Sequence, residues 1–298
     1  MKTFPFVSLI FAASASLFGQ GVSTGGTTLK LPLTAASAAM GESDVAVPGL
    51  AGTLAGNPAL IAGLQETQIV FTHLAWIQET QGQALAAATP VWNGLVGALG
   101  VSSVSIPGIE VREQPGPPIG SFTARSLAIR GALAYPLSDE IVAGVGMKYL
   151  YEKLYVDDAS GTAFDLGGSY APADAPYALG VSVSNLGSIG AFRFARTSLP
   201  TSVQAGGMYR ADLAAFEFLG TAAVVRETHP GENRLRLGGM VSFRGFVALR
   251  FGYETGYDSR GLSAGIGLRL QFVRLDYAYI PFNYDLGNAH MISVGLLL

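Results

Sequence analysis

Eleven charged residues fall on the sparsely apolar face of alternating segments: Arg130, Lys148, Asp165, Arg210, Glu217, Arg236, Arg250, Glu254, Arg269, Arg274 and Asp276. In a strand, alternation sends such positions to one side. Seven of the eleven are cations and four are acids. In a narrow enclosure they cannot stay unpaired, because burying a lone charge is expensive. One reading is a structural ion-pair network filling the interior. The other is that the surplus arginines draw in an anionic head group such as a carboxylate. Elsewhere the chemistry thins out. His73, His229 and His290 lie in separate segments without metal-ligand spacing, so no metal is expected. A Ser–His–Asp site is set by geometry and not by chain order, but no cluster here favours one. No catalytic residue and no cofactor are expected. The Gly-x-Gly pairs at 144–146 and 265–267 do not open a helix after a strand, as a phosphate loop would; they read as small positions facing an interior. Asp157–Asp158 reads as a solvated turn.

The elements that must position these charges follow from composition and period. Charged residues make up 13% of the 298, against about 25% in a soluble domain. Apolar residues make up 49%, and 39 residues are glycine, yet no run after the N-terminus reaches the roughly 20 apolar residues of a membrane helix. Apolar content spread by alternation is the mark of a transmembrane β-barrel. A soluble β-sandwich should carry more surface charge. The net charge of −3 predicts no nucleic-acid partner, and the lack of cysteine excludes a disulfide framework and a thiolate metal site.

Residues 1–19 read as a signal peptide, with Lys2 ahead of an apolar and small-residue run from Phe4 to Phe18. Cleavage after Gly19 is preferred to cleavage after Ala15. Residues 246–257 place Val247, Leu249, Phe251, Tyr253 and Tyr257 on one face and Ala248, Arg250, Gly252, Glu254 and Gly256 on the other. Counting such segments from 67–76 to 289–298 gives about 14 strands, an even number as single-chain bacterial barrels have. The third is expected over 93–104 and the sixth over 161–172. Strands 1, 2 and 9 alternate poorly. Connections after even strands are short, as in Arg244–Gly245, and longer ones tend to follow odd strands. Tyr149, Tyr151, Tyr253, Tyr257, Tyr277 and Tyr279 sit near the ends of odd strands and would form an aromatic girdle at the external interface.

The fold class is therefore all-β: a transmembrane antiparallel barrel over 67–298, preceded by residues 20–66. This leading segment contains "AGNPALIAGL" (55–64), too short to span a bilayer and too apolar to lie in water. It is expected to tuck into the lumen as a partly helical plug. Pro58 fixes its own φ and disfavours helix at Asn57, so Asn57, Pro58 and Ala59 should form a turn or helix start.

The stretches "MGESDVAV…GNPAL", "FTHLAWIQETQGQALAAATPV", "VAGVGMKYLYEKLYVDDASGTAFDLGGSY", "LGVSVSNLG…TSLPTSVQAGGMYR" and "LRFGYETGYDSRGLSAGIGLRL…LDYAYIPFNYDLGNAHMISVGLLL" together resemble the PorV/PorQ family of FadL-like outer-membrane barrels. The resemblance covers nearly the whole chain after the leader. It implies a 14-stranded plugged barrel in the outer membrane of a Gram-negative bacterium, with the Asn57-Pro58-Ala59 turn belonging to the plug. It also implies a link to type IX secretion through translocon subunits or secreted cargo. The wider FadL-like group moves hydrophobic molecules such as fatty acids inward. Leu298 stands where the family's terminal aromatic would be, and the external loops are short for a cargo shuttle.

Two functions follow. The first is a secretion-associated barrel that binds partner proteins. The second is a passive channel for a hydrophobic or amphipathic small molecule, in which Gly94, Gly97 and Gly100 let the third strand bend into a lateral opening. An enzyme has no supporting cluster. The expected partners are outer-membrane lipid, secretion subunits and cargo, or the small solute.

Overall fold

The computed structural model describes residues 26–112, 114–191, 198–228 and 231–298. The signal peptide expected over 1–19, and His229, lie outside the described residues. Those residues form fourteen strands: β1 (Gln68–Ala75), β2 (Gln81–Trp92), β3 (Leu95–Val111), β4 (Gly120–Pro136), β5 (Ile141–Leu154), β6 (Asp157–Tyr170), β7 (Tyr177–Ile189), β8 (Ser202–Leu213), β9 (Phe216–Glu227), β10 (Asn233–Phe243), β11 (Val247–Glu254), β12 (Leu262–Leu270), β13 (Val273–Pro281) and β14 (Asn288–Leu297). Each pairs antiparallel with its sequence neighbour, and β1 pairs with β14 from Gln68↔Leu297 to Ala75↔His290, which closes the ring. The protein is a closed, 14-stranded transmembrane barrel, and closure removes the sheet edge that a bilayer could not satisfy.

Period 2 decides what each strand shows. Leu99, Val145, Phe164, Val224, Phe251 and Ile292 point outward and are exposed, while their neighbours point into a filled interior. The shortest turns after even strands, at 93–94, 214–215, 244–246 and 271–272, each contain a residue at positive φ. Asn93 and Gly94, at φ 47° and 82°, make the two-residue link between β2 and β3. Two strands run further than alternation suggests. β3 reaches Val111 rather than 104, because its register with β4 shifts between Ile106 and Ile109, around Pro107, and breaks the period there. β6 starts at Asp157 rather than 161, so Asp157–Asp158 belong to a strand and not to a solvated turn.

Residues 26–66 lie inside the ring as short helical turns: 3-10 turns at Thr27–Lys30, Ala51–Ala55 and Pro58–Gly63, and helix α1 (Ala35–Ala39). Leu54, Leu60 and Ile61 are almost fully buried. Relative to water, burying each is worth about 1.5–3 kcal/mol. Leu54, Ile61 and Leu64 pack on Ala86, Ala88, Val96, Ala98, Ala132 and Ala134 of β2–β4. Helix α1 packs on Leu74, Ala278, Ala289 and Met291 of β1, β13 and β14. Small wall residues permit this approach. A Cβ on Gly144 or Gly167 would collide with the Asn57–Ala59 segment, and one on Gly265 would meet Ala39.

Candidate functional site

The site is the seam between plug and wall. Asn57 caps the turn at Pro58: its Oδ1 accepts from Ala59 N at 3.1 Å, and Pro58 occupies the first helical position. Its Nδ2 donates to Val45 O at 2.9 Å and to Gly168 O of β6 at 3.1 Å. The Asn57-Pro58-Ala59 turn therefore ties two parts of the plug to the wall. Further tethers run from Ser184 Oγ to Gly56 O (3.0 Å), Ser263 Oγ to Ala39 O (3.1 Å) and Ala35 N to Ser293 Oγ (2.8 Å).

The inward charges sort into three buried groups and an exposed rim. In the first group, Lys148 Nζ lies 2.8 Å from Asp165 Oδ2 and donates to Asn185 Oδ1 at 2.7 Å. The Asn185 N–H donates to Asp165 Oδ1 at 2.8 Å, and Arg130 Nη1 donates to Ser102 Oγ at 2.6 Å. Asn185 has φ 62° and sits where the β6–β7 register shifts. In the second group, Arg236 Nε donates to Glu254 Oε1 at 2.7 Å, and Arg260 Nη2 lies 3.4 Å from Glu254 Oε2. Plug residue Glu42 joins them at 3.6 and 3.9 Å. Arg234 pairs with Glu227 and Glu232. In the third, Asp276 accepts from Arg250 (2.8 Å) and Arg274 (2.7 Å).

Three expectations need correction. Arg210, Glu217 and Arg269 have inward parity but do not lie in a closed lumen. They sit at the short-turn mouth, where Arg210 pairs with Glu217 at 3.0 Å and Arg269 with Glu66 at 3.4 Å, with the arginine side chains about half exposed. Tyr257 is not a girdle residue. It lies beyond the end of β11, where the chain turns inward, and its ring stacks between Arg234 (4.1 Å) and Arg260 (4.4 Å). Gly94 is in the β2–β3 turn and not in the third strand. Tyr149, Tyr253 and Tyr277 are outward and exposed, whereas Tyr151 and Tyr279 are half-buried on the same faces. Gly97 pairs with Thr89 and Leu133, and Gly100 with Ala86 and Arg130, so the wall is continuous at both. Gly97 floors an apolar recess of about 710 Å³ on the outer surface, and Gly100 faces Leu54 of the plug.

Sequence reasoning missed Glu42, Asn185, Glu227, Arg234 and Arg260. Arg234 was readable, since it shares parity with Arg236. An asparagine inside a strand pattern also signals a left-handed position. Arg260 and Glu42 lie outside strands, where period carries no information. Among the described residues, no group of three His, Asp or Glu side chains could hold a metal.

Two cavities flank the plug, both walled by β8–β10, and the second extends on past β11–β13 to Leu297 of β14 and Gln68 of β1. One, of about 90 Å³, lies toward the long-loop end between Leu29, Leu60, Asn185, Pro200, Val225, Arg236 and Tyr257. The other, of about 260 Å³, opens near the short-turn end beside Met40, Val47, Arg210, Leu219, Met240 and Arg250. Ser37 Oγ donates to Asp44 Oδ1 at 3.0 Å between them. Burial pushes the Asp44 carboxyl above its ordinary value, more than the Ser37 hydrogen bond lowers it. Asp44 keeps some accessible surface, on the side of these cavities.

Fold and site together define a plugged transmembrane barrel with an interrupted lumen. No protein-family model and no curated protein sequence matches the chain. Solved structures do match in fold. TodX, a toluene transporter of Pseudomonas putida, superposes with a TM-score of 0.65 at 12% identity, covering 89% of this chain and 98% of that one. The CymD monoaromatic hydrocarbon channel gives 0.59 at 14% identity, over 89% and 96%. A Pseudomonas aeruginosa FadL homologue gives 0.56 at 12% identity, over 89% and 98%. The chain thus has the fold of FadL-type hydrocarbon channels.

Proposed function

We propose that this barrel lies in the outer membrane of a Gram-negative bacterium and passes a small hydrophobic or amphipathic molecule through its plugged lumen. The observation that carries this reading is the pair of cavities along one side of the plug, whose walls set leucine, valine and methionine among a comparable number of charged and polar side chains. Such mixed linings suit a solute with an apolar body and a polar end. The likeness to the toluene transporter and the hydrocarbon channel supports the same class of solute. Export follows removal of residues 1–19, and the mass of the mature chain checks that boundary. Uptake of radiolabelled toluene and of fatty acids of several chain lengths, in a deletion strain and its complemented parent, tests the channel. Unchanged uptake of both classes would sink it.

A second reading keeps the ordered motifs shared with the PorV/PorQ family as its support: an accessory to type IX secretion that binds translocon subunits or cargo. The β3–β4 hairpin supplies a surface for it, since β3 runs past its last β2 pairing at Ser105 to Val111. A quantitative proteome of the culture medium separates the readings. Loss of a set of secreted proteins on deletion would favour secretion over the channel.

A further inference from the structure

We infer that the route through the lumen runs along the β8–β10 side of the plug and that the Ser37–Asp44 contact is its gate. This rests on the channel reading above. The linings of the two cavities have only two residues in common, and these are Ser37 and Asp44. One cavity lies toward the long-loop end and the other toward the short-turn end, so the direct path joining them passes between those two side chains.

The remaining plug surface offers only narrower space: about 20 Å³ toward β1–β3 and about 30 Å³ toward β1, β13 and β14. Elsewhere toward β2–β4 it is closed by Leu54, Ile61 and Leu64 against alanines, and toward β13 and β14 by α1 against Ala278, Ala289 and Met291. Toward β5 and β6, plug atoms meet wall backbone at Gly144 and Gly167 without room for a Cβ.

The backbone around Asp44 is also pinned. Ser43 hydrogen-bonds Thr221 of β9, and Val45 O accepts from Asn57 Nδ2 at 2.9 Å. Opening therefore needs no movement of the plug as a body. Rotation of the Asp44 side chain away from Ser37 is sufficient to join the cavities. Both gate residues sit on the plug, so the wall ladder stays intact when the gate opens.

The full chain reconstituted in planar bilayers tests this without knowledge of the solute, because ions report the path. Asp44→Ala removes a hydrogen bond to a carboxylate acceptor, a loss expected to raise the open fraction about tenfold or more. The chain has no cysteine. A Ser37→Cys/Asp44→Cys variant should therefore be silent when oxidised and conduct on reduction. Leu54→Ala, which opens space on the β2–β4 side, should leave conductance at the wild-type level. Each variant is first shown to be folded by its heat-modifiable mobility in a gel. Folded Asp44→Ala with unchanged conductance would overturn the gate, as would conduction by the oxidised double cysteine. Conduction in Leu54→Ala equal to that in Asp44→Ala would overturn the route. A gate that behaves as stated, with toluene and fatty-acid uptake unaffected by deletion, would leave the route standing and remove only the hydrophobic-solute reading.

Discussion

The plug presents two unlike faces to the same barrel. Toward β2–β4, and where α1 meets β1, β13 and β14, it packs leucine, isoleucine and alanine against a wall of alanines and other apolar side chains. Toward β8–β11 it meets arginines, glutamates and two cavities. The difference lies in wall side-chain size. Alanine and glycine let the plug come within packing distance, where dispersion and apolar burial hold it. Arginine holds it off and must be answered by carboxylates, leaving space that packing does not fill. One face anchors, and the other leaves a path.

The sharpest way to break this contrast is at the seam between the faces. Lys148→Met leaves Asp165 buried with no cation within bonding distance, and removing one member of a buried pair costs about 3–5 kcal/mol. A marked fall in the thermal midpoint of the detergent-solubilised protein is expected; an unchanged midpoint would show that the pair is not sealed from water. On the anchoring face, Leu54→Ala should cost about 2–5 kcal/mol through lost burial and the cavity left behind, read by the same measurement. Gly144→Ala tests the close approach directly. Its Cβ meets plug backbone at Ala59, and overpacking of this kind costs about 1–3 kcal/mol. A neutral result there would mean that the plug can retreat from β5.

The smallest effect belongs to the looser face. Burial raises the Asp44 carboxyl above 3.8, reinforced by Glu42 and opposed by Ser37 and by Arg236 of β10. The folded chain therefore holds this proton more tightly than the unfolded one. The Asp44 contribution to stability is greatest below its ordinary value and declines as pH rises through the raised one. Asp44→Asn should remove that decline, giving a flatter midpoint-against-pH profile above 3.8 than the parent. A profile that still declines as steeply would assign the dependence to other groups.

How much of this was legible depends on the residue. Lys148, Asp165, Arg236 and Glu254 were readable as inward because alternation alone sets the face, but their partners were not. Lys148 meets Asn185 across 37 positions, and Glu42 meets Arg236 across 194. Such pairs depend on strand register and ring closure, which no local pattern encodes. The third strand was foreshortened because Pro107 and the bulge beside it interrupt the period. Tyr257 was misplaced because parity stops at the end of a strand, and the arginines on either side of it decided its direction.

What the amino-acid order determined by itself was the period: about fourteen segments, most of them two-faced, and an uncharged stretch at 55–64 that had to be covered. Those follow from local sterics and the cost of exposing apolar surface to water. What only the tertiary structure decided was contact across the lumen. It set which face of the plug is welded to the wall, which glycines admit it, and where two cavities stop short of meeting at Ser37 and Asp44. Those depend on distances between residues far apart in the chain, and such distances exist only once the ring has closed.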